Sequence, residues 1–309
     1  MEMIPLIRGM GTWAPGLYRP EKRKTGGSVS ARYCYSVYLR HLALLHSCGL
    51  PTRHDSVAEL GPGDTIGISL MALLLGASRV EALDVVRYAN TSTNARILAD
   101  LVALLRRCEP IPDEQEHPDV YPRLPAYGFP SFLDGCELTA TDPARIERIG
   151  AALRGVDSDI SIHYYVPWQE CWERASPGVD FVISQAALEH VEDIEAVHRS
   201  LAAGLKVGGI VSHVIDFKSH DMTATWDGHL QYGDLSWRIV KGRRPYLLNR
   251  RSPADHLRAM QTSGFEIVRT WRAIVAPTLT RSGLPARFRA WSDEDRSTTT
   301  MTVVARRIR

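Results

Sequence analysis

Between Ala31 and Cys48, Tyr35, Val37, Tyr38, His41, Leu42 and Leu45 recur at helical spacing, while residues 1–30 are Gly-, Pro- and Arg-rich and read as an irregular lead-in. Beyond Pro51 the pattern turns into an alternation. SVAEL (56–60) reads as a short apolar strand ending at a glycine turn, Ile66–Leu75 as a strongly apolar helix, RVEALD (79–84) as a second strand and Ala89–Arg106 as a second helix. After an interruption the alternation returns: a helix over Pro143–Leu153, strands over 160–166 and 179–185, a helix from Ile194 to Leu205, and a strand over 209–216. A proline-started helix over Pro253–Ser263 and late strands over 265–273 and 299–306 complete the pattern. VDFVISQ (179–185) is nearly all apolar, as a strand buried on both faces must be. Strands separated by helices predict an α/β fold with a mostly parallel seven-stranded sheet and helices on both faces.

Residues 107–141 interrupt that rhythm with Pro110, Pro112, Pro118, Pro122, Pro125 and Pro130. So long a segment without periodicity is unusual in a compact domain. It reads as a mid-chain insertion that caps a substrate site or as a plain surface excursion.

Composition narrows the function classes. The chain has 309 residues, 44% hydrophobic and 23% charged, with a formal net charge of +2, so it is long enough for a full core and carries no basic excess for nucleic acid. The basic cluster Lys241, Arg243, Arg244, Arg250 and Arg251 reads as a solvated surface or as the recognition of an acidic substrate. Cys34, Cys48, Cys108, Cys136 and Cys171 are scattered and odd in number, which fits a reducing compartment better than disulfides or a zinc knuckle. The start, MEMIPLIRGMGTW, does not resemble a signal peptide, and ISLMALLLGA is about half the length needed to span a bilayer. The expectation is a soluble, cytoplasmic protein without membrane insertion.

The most informative stretch is 56–84. Glu59 ends the first strand, Gly61 and Gly63 make the turn, a helix follows, and Asp84 ends the next strand. Small residues let the backbone approach a ligand there, and a carboxylate at the end of the second strand can accept both hydroxyls of a ribose. A P-loop is excluded because no Gly-Lys-Ser/Thr follows. A dinucleotide turn wants G-x-G-x-x-G, and Gly67 falls one residue late. An acid just before the turn suits a ligand that carries an ammonium group.

ELGPGDTIG followed by ALD, with FVISQAALEHVED and LKVGGIVSHVID later, resembles the class I S-adenosylmethionine-dependent methyltransferases over about residues 56–270. The stretch 220–251, with SQAALEHV before it, resembles a bacterial subgroup of these methyltransferases often associated with surface-glycan or secondary-metabolite biosynthesis. The resemblance implies a Rossmann-like sheet and S-adenosyl-L-methionine as cofactor. Glu59, Gly61 and Gly63 would line the methionine end, flanked by Asp64. Asp84 would hold the ribose, with Val85 beside it, and Gln185 would lie beside the methyl donor. Two departures stand out: Thr65 replaces the third glycine of E-x-G-x-G-x-G, and the third strand lacks an acid for the adenine, leaving Tyr165 to Trp168 as its expected neighbourhood. Residues 1–50 are expected to form a helical extension that folds over the cofactor as a lid or packs as an ordinary helix, and 51–309 the catalytic domain.

The acceptor chemistry is expected beyond the carboxyl ends of strands four and five. Glu189 and His190 follow strand four, and His213, Asp216 and His220 lie on or after strand five. A base, His220 or His190 oriented by Asp216, suits a hydroxyl acceptor. Glu189, His190 and His213 also form a plausible metal set, but Ala186 occupies the place of the first glutamate in the E-x-x-E-H pattern of some metal-assisted relatives. A divalent metal is therefore possible and not predicted. The polar stretch at about 218–252 carries Trp226, His229, Tyr232, Trp237 and Tyr246, either a stacking wall for a small-molecule or saccharide acceptor or the core of a small subdomain. The alternatives are an NAD(P)-dependent oxidoreductase and a cofactor-binding scaffold without catalysis.

Overall fold

A computed structural model of the chain describes residues 1–14, 27–118, 120–156, 159–169, 172 and 178–309. Cys171 lies outside them. β1 (Ser56–Leu60) is buried at every position and pairs in parallel with β2 (Arg79–Leu83) on one side and β4 (Val179–Gln185) on the other. β3 (Ser161–Tyr165) pairs in parallel with β2, and β5 (Leu205–Asp216) with β4. β7 (Thr298–Arg307) runs antiparallel between β5 and the edge strand β6 (Phe265–Ile274). The resulting seven-stranded order is β3-β2-β1-β4-β5-β7-β6.

The order reverses after β3. The chain steps outward from β1 to β3, then returns to lay β4 on the other side of β1. Connections on the two sides leave in opposite directions, so a crevice opens beyond the carboxyl ends of β1 and β4. Helices cover both faces because each face of a parallel sheet must be buried. α2 (Ala31–Ser47), α3 (Gly67–Leu74), α4 (Thr91–Arg106) and α6 (Pro143–Leu153) lie on one face, joined before α6 by the short α5 (Cys136–Ala140). α7 (Ile194–Gly204) and α9 (Pro253–Thr262) cover the other.

The two readings of Ala31–Cys48 resolve in favour of packing. α2 buries Cys34, Tyr35, Val37, Leu39, Leu42 and Leu45 in the main core, so it is not a detachable lid. The preceding helix, α1 (Ile4–Gly11), goes elsewhere. It packs on α8 (Asp234–Lys241), and a Cβ on Gly9 would come within 1.9 Å of the Ile239 carbonyl oxygen. The Tyr232 hydroxyl donates to the Glu2 carbonyl at 2.8 Å. Residues 1–14 therefore complete a small core with Tyr232, Trp237, Val240, Leu247 and Leu248.

The mid-chain insertion does not cap the crevice as expected. It straps the outer side of α2: Arg32 reaches the Pro110 carbonyl and Glu116, Arg40 reaches the carbonyls of Pro112 and Pro122, and His46 stacks on Phe132 at 4.5 Å. At 1.5 Å per residue, Phe132 sits about 20 Å along the helix from the glycine turn that its first residues touch. His117, edge-on to Tyr33 at 6.2 Å, approaches the mouth.

Histidines meet β5 on both faces of the sheet. His213 packs with His198 of α7 and His256 of α9, while His41 of α2 bonds Ser212 on the opposite face at 2.7 Å. Burial holds His41 and His198 down to about 4 and His256 down to about 3, against 6.5 for a free imidazole. The unfolded chain thus binds protons that the folded chain refuses as pH falls below 6.5, and stability falls with it. By pH 5 each such histidine costs on the order of 2 kcal/mol. Urea midpoints should drop steeply between pH 7 and pH 5, and His198→Leu should flatten that slope. An equal slope in the variant would refute the assignment.

Candidate active site

The crevice is framed by the ends of β1, β2 and β4. Gly61, at φ +75°, follows β1 and donates to the Leu83 carbonyl at 2.8 Å. A Cβ there would lie 2.7 Å from the Cβ of Ala187, so glycine is what lets the turn pass under the segment after β4. Ala186 in that segment holds φ +50°, a costly conformation for alanine. Gly63 donates to Asp84 Oδ2 at 3.3 Å and Val85 to Asp84 Oδ1 at 2.7 Å, so Asp84 ties the first turn to the second. Asp64 and Val85 both sit on this rim, Val85 among the exposed apolar residues.

Glu59 is 2% exposed and accepts from the amide and hydroxyl of Ser69 at 2.9 and 2.5 Å, satisfying an open amide of the first turn of α3. Burial, outweighing these hydrogen bonds, pushes its carboxyl up to about 7. Thr65, the departure from the glycine pattern, has a structural use. Its hydroxyl donates to the Ser28 carbonyl at 2.5 Å and accepts from Gly67 at 3.1 Å, joining the start of α2 to the turn. Gln185 lies against His41 of α2. The expected adenine neighbourhood needs correcting: Trp168 is 3% exposed and packs against Trp172 in the second core. Tyr164, with Arg87 stacked over its ring at 4.4 Å, is the aromatic group whose hydroxyl feels the charge of Asp84.

The second half of the site gathers at the ends of β4 and β5. Glu189 and His190 sit on a 3-10 turn (Leu188–His190), and the ring of His190 meets that of His220 edge-on at 5.2 Å. His220 Nε2 is 3.5 Å from Asp216 and 3.9 Å from Glu189. Burial raises Asp216, but the His220 hydrogen bond and charge, with the Lys218 amide and ammonium, bring it below the usual carboxylate range. Glu189 goes the other way: burial first, then the charge of Asp216, holds its proton on well above the ordinary value. His220 and Asp221 both have left-handed backbones, φ +48° and +57°. Such strain persists where surrounding structure enforces it.

His213 does not join this group. It is fully buried on the α7 and α9 side, bonded to Ser184 at 2.7 Å, and held neutral by burial and its histidine neighbours. The ligand set that included it therefore fails, and His220 takes its place beside Glu189 and His190.

A narrow cleft opens from Glu189 and Asp216. Trp226, His229, Leu230 and Leu248 come from the segment after β5, Trp291 and Arg296 from the connection between β6 and β7. That connection holds α10 (Ala286–Arg289) and α11 (Asp293–Ser297), and its pattern was too short and polar to be read from sequence. Of the aromatic residues expected to form a wall, Trp226 and His229 line the cleft, whereas Tyr232 and Trp237 are buried in the small core beneath. Burial, then Arg250 and His220, lowers His229 to about 3, so it is neutral. Burial raises the Tyr33 hydroxyl, and Cys34, Glu189 and Glu59 add to the rise. No described helix is long and apolar enough to cross a membrane.

No protein-family model matches the chain, and no curated protein matches it. Solved structures with a similar course are S-adenosylmethionine-dependent methyltransferases. One from Mesorhizobium loti is 17% identical, with 85% of this chain and 96% of that one covered and a TM-score of 0.43. One from Methanosarcina mazei is 13% identical, with 86% and 97% covered and a TM-score of 0.43. A geranyl diphosphate C-methyltransferase from Streptomyces coelicolor A3(2), solved with Mg2+, geranyl diphosphate and S-adenosyl-L-homocysteine, is 14% identical, with 87% and 77% covered and a TM-score of 0.43. Likeness at this level carries no activity or acceptor over to this chain.

Gly61→Ala should lower the unfolding free energy by about 1–3 kcal/mol, since it adds a clash to a left-handed backbone. Urea denaturation measures this, and an unchanged midpoint would mean that the turn yields easily.

Proposed function

We propose that the protein transfers the methyl group of S-adenosyl-L-methionine to an oxygen of a small-molecule or saccharide acceptor. The observation that carries this reading is the close approach, at the reversal of strand order, of a glycine turn bounded by Glu59 and Asp84 to the segment after β4 that leads to Glu189 and the Asp216–His220 pair. The crevice residues fit the cofactor. Asp84, 7% exposed, holds rim amides that a ribose would replace, and the buried Glu59 lacks a cation that an amino-acid ammonium would supply. The cofactor supplies a methyl group on a sulfonium, which leaves as a neutral thioether.

The chain's own residues have three tasks. The Gly61–Gly63 turn, Asp84 and Gln185 orient the donor, and alignment of this kind can supply about 7–11 kcal/mol of the barrier. Trp226, Trp291, Leu230 and Leu248 present apolar walls that keep water from the acceptor. The ring nitrogen of His220 that is not turned to Asp216 takes the acceptor hydroxyl proton as the new C–O bond forms, and the Asp216 carboxylate stabilises the resulting imidazolium.

Calorimetric titration with S-adenosyl-L-homocysteine should give one-site binding that Asp84→Ala weakens at least tenfold. Absence of binding to the wild-type protein would end the reading. Because Glu59 rests near pH 7 with its proton partly on, binding an ammonium beside it should release a proton and tighten as pH rises through 7. Titrations in buffers of different ionisation enthalpy read that release directly. Once an acceptor is found, His220→Ala and Asp216→Asn should each lower kcat about 10²–10⁴-fold with the S-adenosyl-L-homocysteine affinity retained. Unchanged turnover in both would remove the base.

A further inference from the structure

Glu189 has a carboxylate that the fold has buried and left without a donor. It is 2% exposed, and neither oxygen has a hydrogen-bond partner among the described residues. The backbone amides of Glu189 and Asp216 come near without hydrogen-bond geometry. A carboxylate in that position is costly unless it holds a proton or meets a cation. What surrounds it is a set of donors. The 3-10 turn puts His190 directly after it, and the strained backbone at His220 brings a second imidazole over from the end of β5. One donor atom each from Glu189, His190 and His220 lies within 4.8 Å of the other two.

We propose that Glu189, His190 and His220 form a binding site for one divalent cation of borderline class, Zn2+ or Co2+, with solvent completing the shell. Donor chemistry selects that class. Two imidazoles and one carboxylate suit Zn2+ and its neighbours, while Mg2+ and Ca2+ favour oxygen throughout. Bonds of about 2.0–2.2 Å around a tetrahedral ion put its donors roughly 3.4 Å apart. The 3.9 Å between His220 Nε2 and Glu189 is therefore within a small side-chain adjustment of that spacing. Asp216, 3.5 Å from the same nitrogen, stands just outside the three donors and can orient the ring or a metal-bound water.

The site has a consequence that rests on the methyl-transfer reading. An uncharged imidazole has one ring lone pair, and a cation on His220 occupies it, so the loaded cluster has no free base on His220. Cation binding then switches the enzyme off, and a chelator restores it.

The test is titration of the full chain with Zn2+ by calorimetry and with Co2+ by visible absorption. Saturable one-to-one binding is expected, with a ligand-field band from Co2+. Glu189→Gln and His190→Ala should each weaken it at least 30-fold, with the circular dichroism spectrum retained. His220→Gln, on a partly exposed loop, serves the same purpose should the Glu189 variant fail to fold. Lack of saturable binding, or binding unchanged in the folded variants, overturns the site. S-adenosyl-L-homocysteine titrations on the same samples keep the two claims apart. S-adenosyl-L-homocysteine binding without metal binding refutes only the cation site, and the converse refutes only the methyl-transfer reading.

Discussion

The reversal of strand order between β1 and β4 is the constraint on which the site depends. Elsewhere a crossover helix covers the strand ends. At β1 and β4 the connections diverge, and the main-chain turns after both strands face each other with no helix between. Gly61 against Ala187 is the tightest point of that approach. The clearance admits no side chain at position 61, which brings the glycine turn and the 3-10 turn of Glu189 and His190 into one crevice. Their separation of well over a hundred residues in sequence is thereby reduced to a contact between two turns.

Burial then sets the charge states that the site works with. Glu59 and Glu189 are both carboxyls pushed upward by loss of water, whereas Asp216 is brought down by His220 and Lys218. Two acids one strand apart are thus driven in opposite directions, a separation that lets one remain charged beside an imidazole while the other stays neutral or awaits a cation. The same loss of water keeps His213, His198 and His256 neutral. Proximity in sequence to the acidic pair does not make His213 part of the chemistry, because it lies on the covered face of the sheet.

The cover over the cleft beside Glu189 and Asp216 comes from three separate stretches. α1 braces the segment after β5 through Gly9, Glu2 and Leu6, that segment contributes Trp226 and His229, and the connection between β6 and β7 adds Trp291 and Arg296. Arg250 binds the last two together, with its guanidinium against the rings of Trp237 and Phe288. The proline-rich insertion serves the stability of α2 instead, by meeting Arg32 and Arg40 with backbone carbonyls and Glu116.

The sequence by itself determined the seven strands, most of the helices and the acids at the strand ends. Those are local matters: the two-residue alternation, the apolar runs and the glycine turn act over a few neighbours, and SVAEL and VDFVISQ emerge with the bounds read from the pattern. It also brought Glu189, His190, Asp216 and His220 into view, since strand ends four and five are adjacent in any fold of this order. Only the tertiary structure decided which way each side chain points. Ser212 and His213 are neighbours in the chain and face opposite sides of the sheet, so assigning His213 required knowing which helices lie on which face. It alone sent α1 to α8, Trp168 into the core and the insertion along α2. Those outcomes depend on packing between distant segments, and a one-dimensional pattern of polarity records that a surface must be buried without recording against what.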